Sequence, residues 1–177
     1  MIFQLKNRLF TLGGSIDITD QDGTPCYQVR GNTFSFGGRK LDLFDMYEMP
    51  VAHIEQRLHF LGSEFDIYQQ GQMVAAIKPN IFSFGGERFT VETMQGNLEV
   101  AGDWMNWNYT IAGNGIPIAT VGKQFNFFQN MYGVNIADNA AIPLMLCIAI
   151  VIDEVVSGQR PQSPTNTIIG DIIDDIL

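Results

Sequence analysis

Cysteine and histidine, the side chains on which disulfide frameworks, metal sites and much acid–base chemistry are built, number only two each in this chain of 177 residues. Cys26 and Cys147 make no disulfide framework, and Cys147 falls in the most apolar stretch, where a free thiol behaves as a small hydrophobe. That usage reads as a reducing compartment. Cations are scarce too: ten Lys and Arg against nineteen Asp and Glu leave a net charge of -9. An acidic chain repels phosphate backbones, so no nucleic-acid partner is expected. The opening MIFQLKNRLFTLGG has neither the continuous apolar stretch nor the small-residue cleavage site of a secretory signal. Long apolar runs are also missing. The longest, residues 140–152, falls short of the ~20 residues that a bilayer span requires, so no transmembrane segment is expected. A cytoplasmic chain follows, with peripheral attachment at a membrane as the one membrane role left open.

What the chain does have is apolar material: 46% of it is hydrophobic and only 16% charged, enough for one packed domain and against disorder over most of its length. It also repeats itself. Gly31-Asn32-Thr33-Phe34-Ser35-Phe36-Gly37-Gly38-Arg39 returns as Pro79-Asn80-Ile81-Phe82-Ser83-Phe84-Gly85-Gly86-Glu87, and a degenerate copy follows at Lys123-Gln124-Phe125-Asn126-Phe127. The preceding segments repeat as well, as Pro25-Cys26-Tyr27-Gln28-Val29, Pro50-Val51-Ala52-His53-Ile54, Met73-Val74-Ala75-Ala76-Ile77 and Pro117-Ile118-Ala119-Thr120-Val121. Asp22-Gly23, Gln70-Gly71 and Asn114-Gly115 stand before three of them, where glycine supplies the positive φ of a tight hairpin. Turns recurring every ten or so residues are the spacing of an all-β sandwich or barrel.

Between the turns, side chains alternate. Ile16 and Ile18 interleave with Asp17 and Thr19, Phe65 and Ile67 with Glu64 and Asp66, and Met105, Trp107, Tyr109 and Ile111 with Asn106, Asn108 and Thr110. One face is wet and the other dry, as in an antiparallel sheet that covers a core. The period then changes. Residues 139–156 read NAAIPLMLCIAIVIDEVV, apolar on every side, which predicts a helix surrounded on every side. Asp138 or Asn139 is the expected N-cap and Gly158 the expected stop. A closed sheet offers such an enclosure and leaves no exposed edges, so the helix is expected to thread a β barrel over residues 1–157. Residues 158–177 then read as a Pro- and Ser-containing linker and a short amphipathic tail. In the tail Ile168, Ile169, Ile172, Ile173 and Ile176 fall opposite Asp171, Asp174 and Asp175, a face suited to docking on a partner or on the chain itself.

Chemistry is sparse. His53 and His59 are about 20 Å apart on a strand and share a polar face with Glu55 and Arg57, so no metal site is expected. Asp17-Ile18-Thr19-Asp20-Gln21-Asp22-Gly23 fails as a calcium loop, because Ile18 and Val29 occupy ligand positions; it reads as an acidic hairpin. No Gly-x-Ser-x-Gly elbow, phosphate loop or dinucleotide fingerprint occurs, and no cofactor is implied. Trp104, Trp107 and Tyr109 are assigned to the core.

The Phe-x-Phe-Gly-Gly hairpins, the Pro-Val-Ala-x-Ile strands and the final apolar helix together resemble the LURP-one-related family over about residues 1–156. That family is related in fold to the tubby C-terminal domain and the phospholipid scramblases. The resemblance implies a mainly β fold: a closed antiparallel barrel of about twelve strands around a central C-terminal helix. The filled barrel, the missing catalytic constellation and the amphipathic C-terminus point to a non-enzymatic binding or scaffold domain of that type, with an unidentified protein or a lipid headgroup as partner. Tubby domains bind phosphoinositides through clustered basic residues, and Lys78, Arg88 and Lys123, with Arg30, are the counterparts on offer here. Recognition of anionic headgroups through those residues is the alternative function, and an enzyme with a site on the barrel rim is the second alternative.

Overall fold

The computed structural model describes residues 1–6, 14–31, 38–60, 62–80, 88–123 and 131–159. The Phe-Ser-Phe-Gly cores of the repeat, its third copy beyond Lys123, and the tail isoleucines from Ile168 to Ile176 lie outside the described residues. Twelve strands follow one another: β1 (Ile2–Lys6), β2 (Gly14–Asp20), β3 (Pro25–Gly31), β4 (Lys40–Asp45), β5 (Pro50–His59), β6 (Gly62–Gln69), β7 (Gln72–Asn80), β8 (Arg88–Thr93), β9 (Gly96–Asp103), β10 (Asn108–Gly113), β11 (Ile116–Lys123) and β12 (Met131–Ile136). Each pairs antiparallel with its neighbours, and β1 pairs with β12, which closes the barrel. The last described element, helix α1 (Ile142–Gln159), runs through it.

The repeat has a physical reason. In three hairpins a proline opens the second strand or follows its first residue. It faces a bulged register: Pro25 is opposite Thr19, Pro50 opposite Phe44, and Pro117 opposite Ala112. Proline cannot donate to a ladder, and a strand start beside a bulge is where that costs least. In β6–β7 the same bulge stands opposite Met73. Two of the turns, Gln70-Gly71 and Asn114-Gly115, hold both central residues at positive φ, the hand that suits a two-residue hairpin. The acidic segment before Gly23 is a turn as expected. Its Asp20 carboxylate accepts from the amides of Asp22 and Thr24 at 2.9 and 2.8 Å.

Alternate residues of every strand point inward onto α1, among them Phe3, Leu43, Ile67, Val91, Ile111 and Val134, all essentially without solvent contact. The helix is equally buried from Met145 to Ile152. It starts at Ile142, three residues later than the expected start at Asn139. The amide of Ala140 bonds back to Ala137 at 3.0 Å, and the amide of Met145 to Ala141 at 3.1 Å. Asp138 and Asn139 therefore lie in a turn ahead of the helix, where Asp138 sits 3.7 Å from the N-terminal ammonium. Nor does Gly158 end it, since the helix continues to Gln159. The alternation before β10 also breaks: Trp104–Asn106 is a 3-10 turn closed by Trp107 at φ 50°. Met105 is thereby turned outward while Trp104 and Trp107 are buried.

Three acids of the core titrate late. Burial pushes the Cys147 thiol up to about 12, and burial, with a smaller contribution from the charge of Asp153, raises the phenols of Tyr109 and Tyr132. Below about pH 7.5 thiols and phenols stay protonated in folded and unfolded chains alike, and they add no pH dependence. Above it the unfolded chain releases protons that the folded chain keeps, so stability is lost as pH rises. The urea midpoint is expected to fall steadily from pH 8.5 to pH 11, and a flat profile would contradict the burial of these groups. At pH 8 Ellman's reagent is expected to reach Cys26 alone in the native protein and both free thiols after unfolding.

Candidate functional site

The outer face of β4 to β7 carries a ladder of cross-strand pairs set by register: Lys40 opposite Glu55, Asp42 opposite His53, His53 opposite Tyr68, and Arg57 opposite Glu64. A groove of about 460 Å³ opens there toward the β4–β5 and β6–β7 turns, walled by Asp42, Val51, His53, Glu55, Tyr68 and Gly71. His53 Nδ1 lies 2.7 Å from Asp42 Oδ1, and its ring is tilted against Tyr68 with centroids 6.1 Å apart. Lys40 Nζ stands 2.7 Å from Glu55 Oε1. That bond raises the lysine pKa and lowers the carboxyl pKa. Two residues beyond Glu55 on β5, Arg57 donates Nε to Asp66 Oδ2 at 2.6 Å and Nη2 to Oδ1 at 2.8 Å, with Tyr68 Oη 3.4 Å from Oδ2. Asp66 is outward by parity yet has 1% of its surface exposed. Its neighbour on β7 is Ala76, too small to keep the arginine from folding over it. Burial first, and the Asp66 charge second, raise the Tyr68 phenol.

A carboxylate that orients an imidazole is two-thirds of a hydrolytic triad. The missing third is a nucleophile, and none of the residues lining the groove is Ser, Thr or Cys. What the groove offers is two carboxylates and two aromatic faces, a set suited to holding a cationic group. The sequence placed His53 on the polar face correctly but left it merely solvent-facing. It is half-buried and bonded to Asp42. His59 stays more exposed, with Nε2 3.4 Å from Glu64 Oε2. Among the described residues no three metal-ligating side chains come together.

Lys78, Arg88 and Lys123 stand near or at strand ends on one rim of the barrel. All eight described Lys and Arg do: Lys6, Arg30, Arg39, Lys40, Arg57, Lys78, Arg88 and Lys123 lie within three residues of the strand ends there. Carboxylates answer most of them. Lys78 Nζ lies 2.9 and 3.0 Å from the two oxygens of Glu92 and 3.6 Å from Glu64. The bond to Glu92 raises its pKa. Arg39 pairs with Glu154 of α1, and Arg30 meets Glu48 at 3.1 Å while stacking over Phe44. Lys123 lies 5.9 Å above the Trp107 ring, whose Nε1 donates to buried Asp153 at 3.0 Å. Burial outweighs Arg39 at Glu154 and raises its carboxyl. Nothing in the residue pattern signals these pairings, which depend on strand register and on how far α1 is inserted.

A sequence model of the LURP-one-related family matches residues 1–153. The chain belongs to the LURP-one-related family. It is similar to the uncharacterised protein YxjI of Bacillus subtilis, with 24% identity over 159 residues covering 90% of this chain and 96% of the relative. Among solved structures, a protein from Arabidopsis thaliana superposes with a TM-score of 0.62 at 16% identity, over 87% of this chain and 91% of that one. That likeness shows a shared fold. Among the described residues no helix is long and apolar enough to cross a membrane.

Proposed function

We propose that this LURP-one-related chain is a non-enzymatic binding domain whose ligand seats in the outer groove around His53. The observation that supports it is a groove with an oriented imidazole, two carboxylates and one phenol ring but no Ser, Thr or Cys in its walls. Among the described residues the barrel interior shows no comparable room, since α1 is buried on every side from Met145 to Ile152. Butylammonium, a probe with one cationic head and a short apolar tail, is expected to bind weakly, with Kd on the order of millimolar. Its titration should shift the amide signals of Val51, His53, Tyr68 and Gly71. Across a panel of chromogenic esters, phosphoesters and peptides no turnover should depend on His53. Turnover lost in His53→Ala would sink the proposal in favour of an enzyme.

A second reading, recognition of anionic headgroups, is favoured by the gathering of cations on one rim. The carboxylate partners of Lys78 weigh against it, as neutralised charges release few counterions. Flotation with phosphatidylserine vesicles that is salt-sensitive and reduced by Lys78→Glu and Lys123→Glu would put this reading first.

A further inference from the structure

The rim opposite the cations has its own composition. Seven large apolar side chains are exposed there: Met1, Met46, Tyr47, Met49, Met73, Met94 and Ile116. They stand at successive turns, on β4–β5, β6–β7, β8–β9 and β10–β11, and at the start of β1. Five of the eight methionines of the chain are among them. Exposure is extensive, 83% for Tyr47, 81% for Met94 and 69% for Ile116. Isolated exposed apolar residues need no explanation, but a run of them on neighbouring turns is a patch. Methionine is the residue that lets such a patch adapt, having an unbranched, polarisable side chain with three rotatable bonds.

The charged side chains rooted in the turns of this rim all have one sign. Asp20, Asp22, Asp45, Glu48 and Asp138 lie in the turns of this rim, and among the described residues no Lys or Arg does. The N-terminal ammonium answers Asp138, and the guanidinium of Arg30 reaches across from β3 to Glu48. Asp20 and Asp45 each bind turn amides through one carboxylate oxygen, Oδ1. The surface therefore combines adaptable apolar side chains with fixed negative charge, and the groove of Asp42, Glu55 and Tyr68 opens beside it. A partner that satisfies both is apolar on one side and basic on the other. The chain's own tail has isoleucines to offer, but Asp171, Asp174 and Asp175 give it the wrong charge. Anionic lipid is repelled for the same reason.

We infer that this methionine-tipped acidic rim is a docking surface for a basic amphipathic helix of a protein partner, one of whose cationic side chains reaches the groove. The four hairpin tips from β4–β5 to β10–β11 span half the rim, on the order of 25 Å across at ordinary strand spacing and tilt, which is about 16 residues of helix. The inference rests on the binding reading above, and it names the partner of that same region of surface.

The test uses the full chain and three synthetic 18-residue peptides: a Leu/Lys amphipathic helix, the same composition shuffled to remove its apolar face, and a Leu/Glu counterpart. By fluorescence anisotropy the Leu/Lys helix is expected to bind about tenfold or more tighter than either control, and more weakly as salt rises. The variant Met46→Gln/Met49→Gln/Met73→Gln/Met94→Gln should lose about tenfold of that affinity. Because these side chains are exposed, its thermal midpoint should be unchanged. Equal binding of the shuffled peptide, undiminished binding by the variant, or no binding overturns the inference. So does flotation with neutral phosphatidylcholine vesicles that the variant abolishes, which would make a lipid surface the occupant. None of these outcomes touches the butylammonium and turnover tests, so failure of the rim and failure of the groove can be told apart.

Discussion

Replacing Gly38 with alanine is expected to destabilise the protein by about 2–5 kcal/mol and to lower its thermal midpoint by about 5–15 °C. Two costs add. Gly38 has φ 102°, a region L-residues rarely enter, and a Cβ there would run into the backbone carbonyl oxygen of Gln56 on the neighbouring strand. Backbone cannot step aside as the end of a flexible side chain can. The clash also lands on a junction. The Gln56 amide donates to the Arg39 carbonyl at 2.8 Å, and the Arg39 amide donates to Gln56 Oε1 at 3.1 Å. Together they hold Arg39 where it pairs with Glu154 of α1. The control is Gly71→Ala. Gly71 also has positive φ, 75°, but a Cβ would meet nothing within 4 Å. Strain alone remains, about 1 kcal/mol. Urea unfolding of both variants separates the two costs. Equal losses would mean that the second glycine of the repeat is there for its φ and not for the close approach.

Gly38 marks how far the sequence could be read. That a glycine pair follows Phe-Ser-Phe is visible in the repeat, and a need for positive φ follows from it. Contact with Gln56, eighteen positions along, does not. The barrel was legible for a similar reason: inward and outward residues separate by parity, so Ile16/Ile18 and Phe65/Ile67 announce their faces without any partner. Parity failed where a turn interrupts it, at Met105, because a 3-10 turn advances the chain by a different angle. It also failed to flag Asp66, outward as expected but buried, since its burial comes from Arg57 on another strand.

The candidate site was less legible, because it is made of pairs and not of residues. Asp42 and His53 meet through one register, which depends on the bulge between Leu43 and Phe44. A register shifted by one residue would set His53 against an inward leucine. Lys78 could be placed near a strand end, but Glu92 and Glu64 reach it from the two flanking strands. The methionine tips stayed invisible for another reason. Met46, Met49, Met73 and Met94 are apolar by any scale, and composition assigns them to the core. Only the turns on which they fall say otherwise, and Asp45 builds one of these by accepting from the amides of Tyr47 and Met49 at 2.9 Å each.

The helix supplies the sharpest stability test, because a surface helix and an enclosed one predict different patterns. Leu146 and Ile148 point about 200° apart around the axis. On an amphipathic helix one of the two would face water, and its truncation would cost little. Here both are wholly buried. Leu146→Ala and Ile148→Ala are each expected to cost about 2–5 kcal/mol, since each leaves a cavity that a closed barrel has little freedom to collapse. A domain holds only about 5–15 kcal/mol in total. Val155, partly exposed near the C-terminal end, is the internal control, and Val155→Ala should cost about 1 kcal/mol. Urea midpoints at unchanged m-value give the comparison directly. Large losses at both Leu146 and Ile148 with a small one at Val155 are the signature of a helix enclosed on all sides. A tolerant face at either position would mean that the barrel opens along that side of α1, and with it would go the argument that ligands must bind outside.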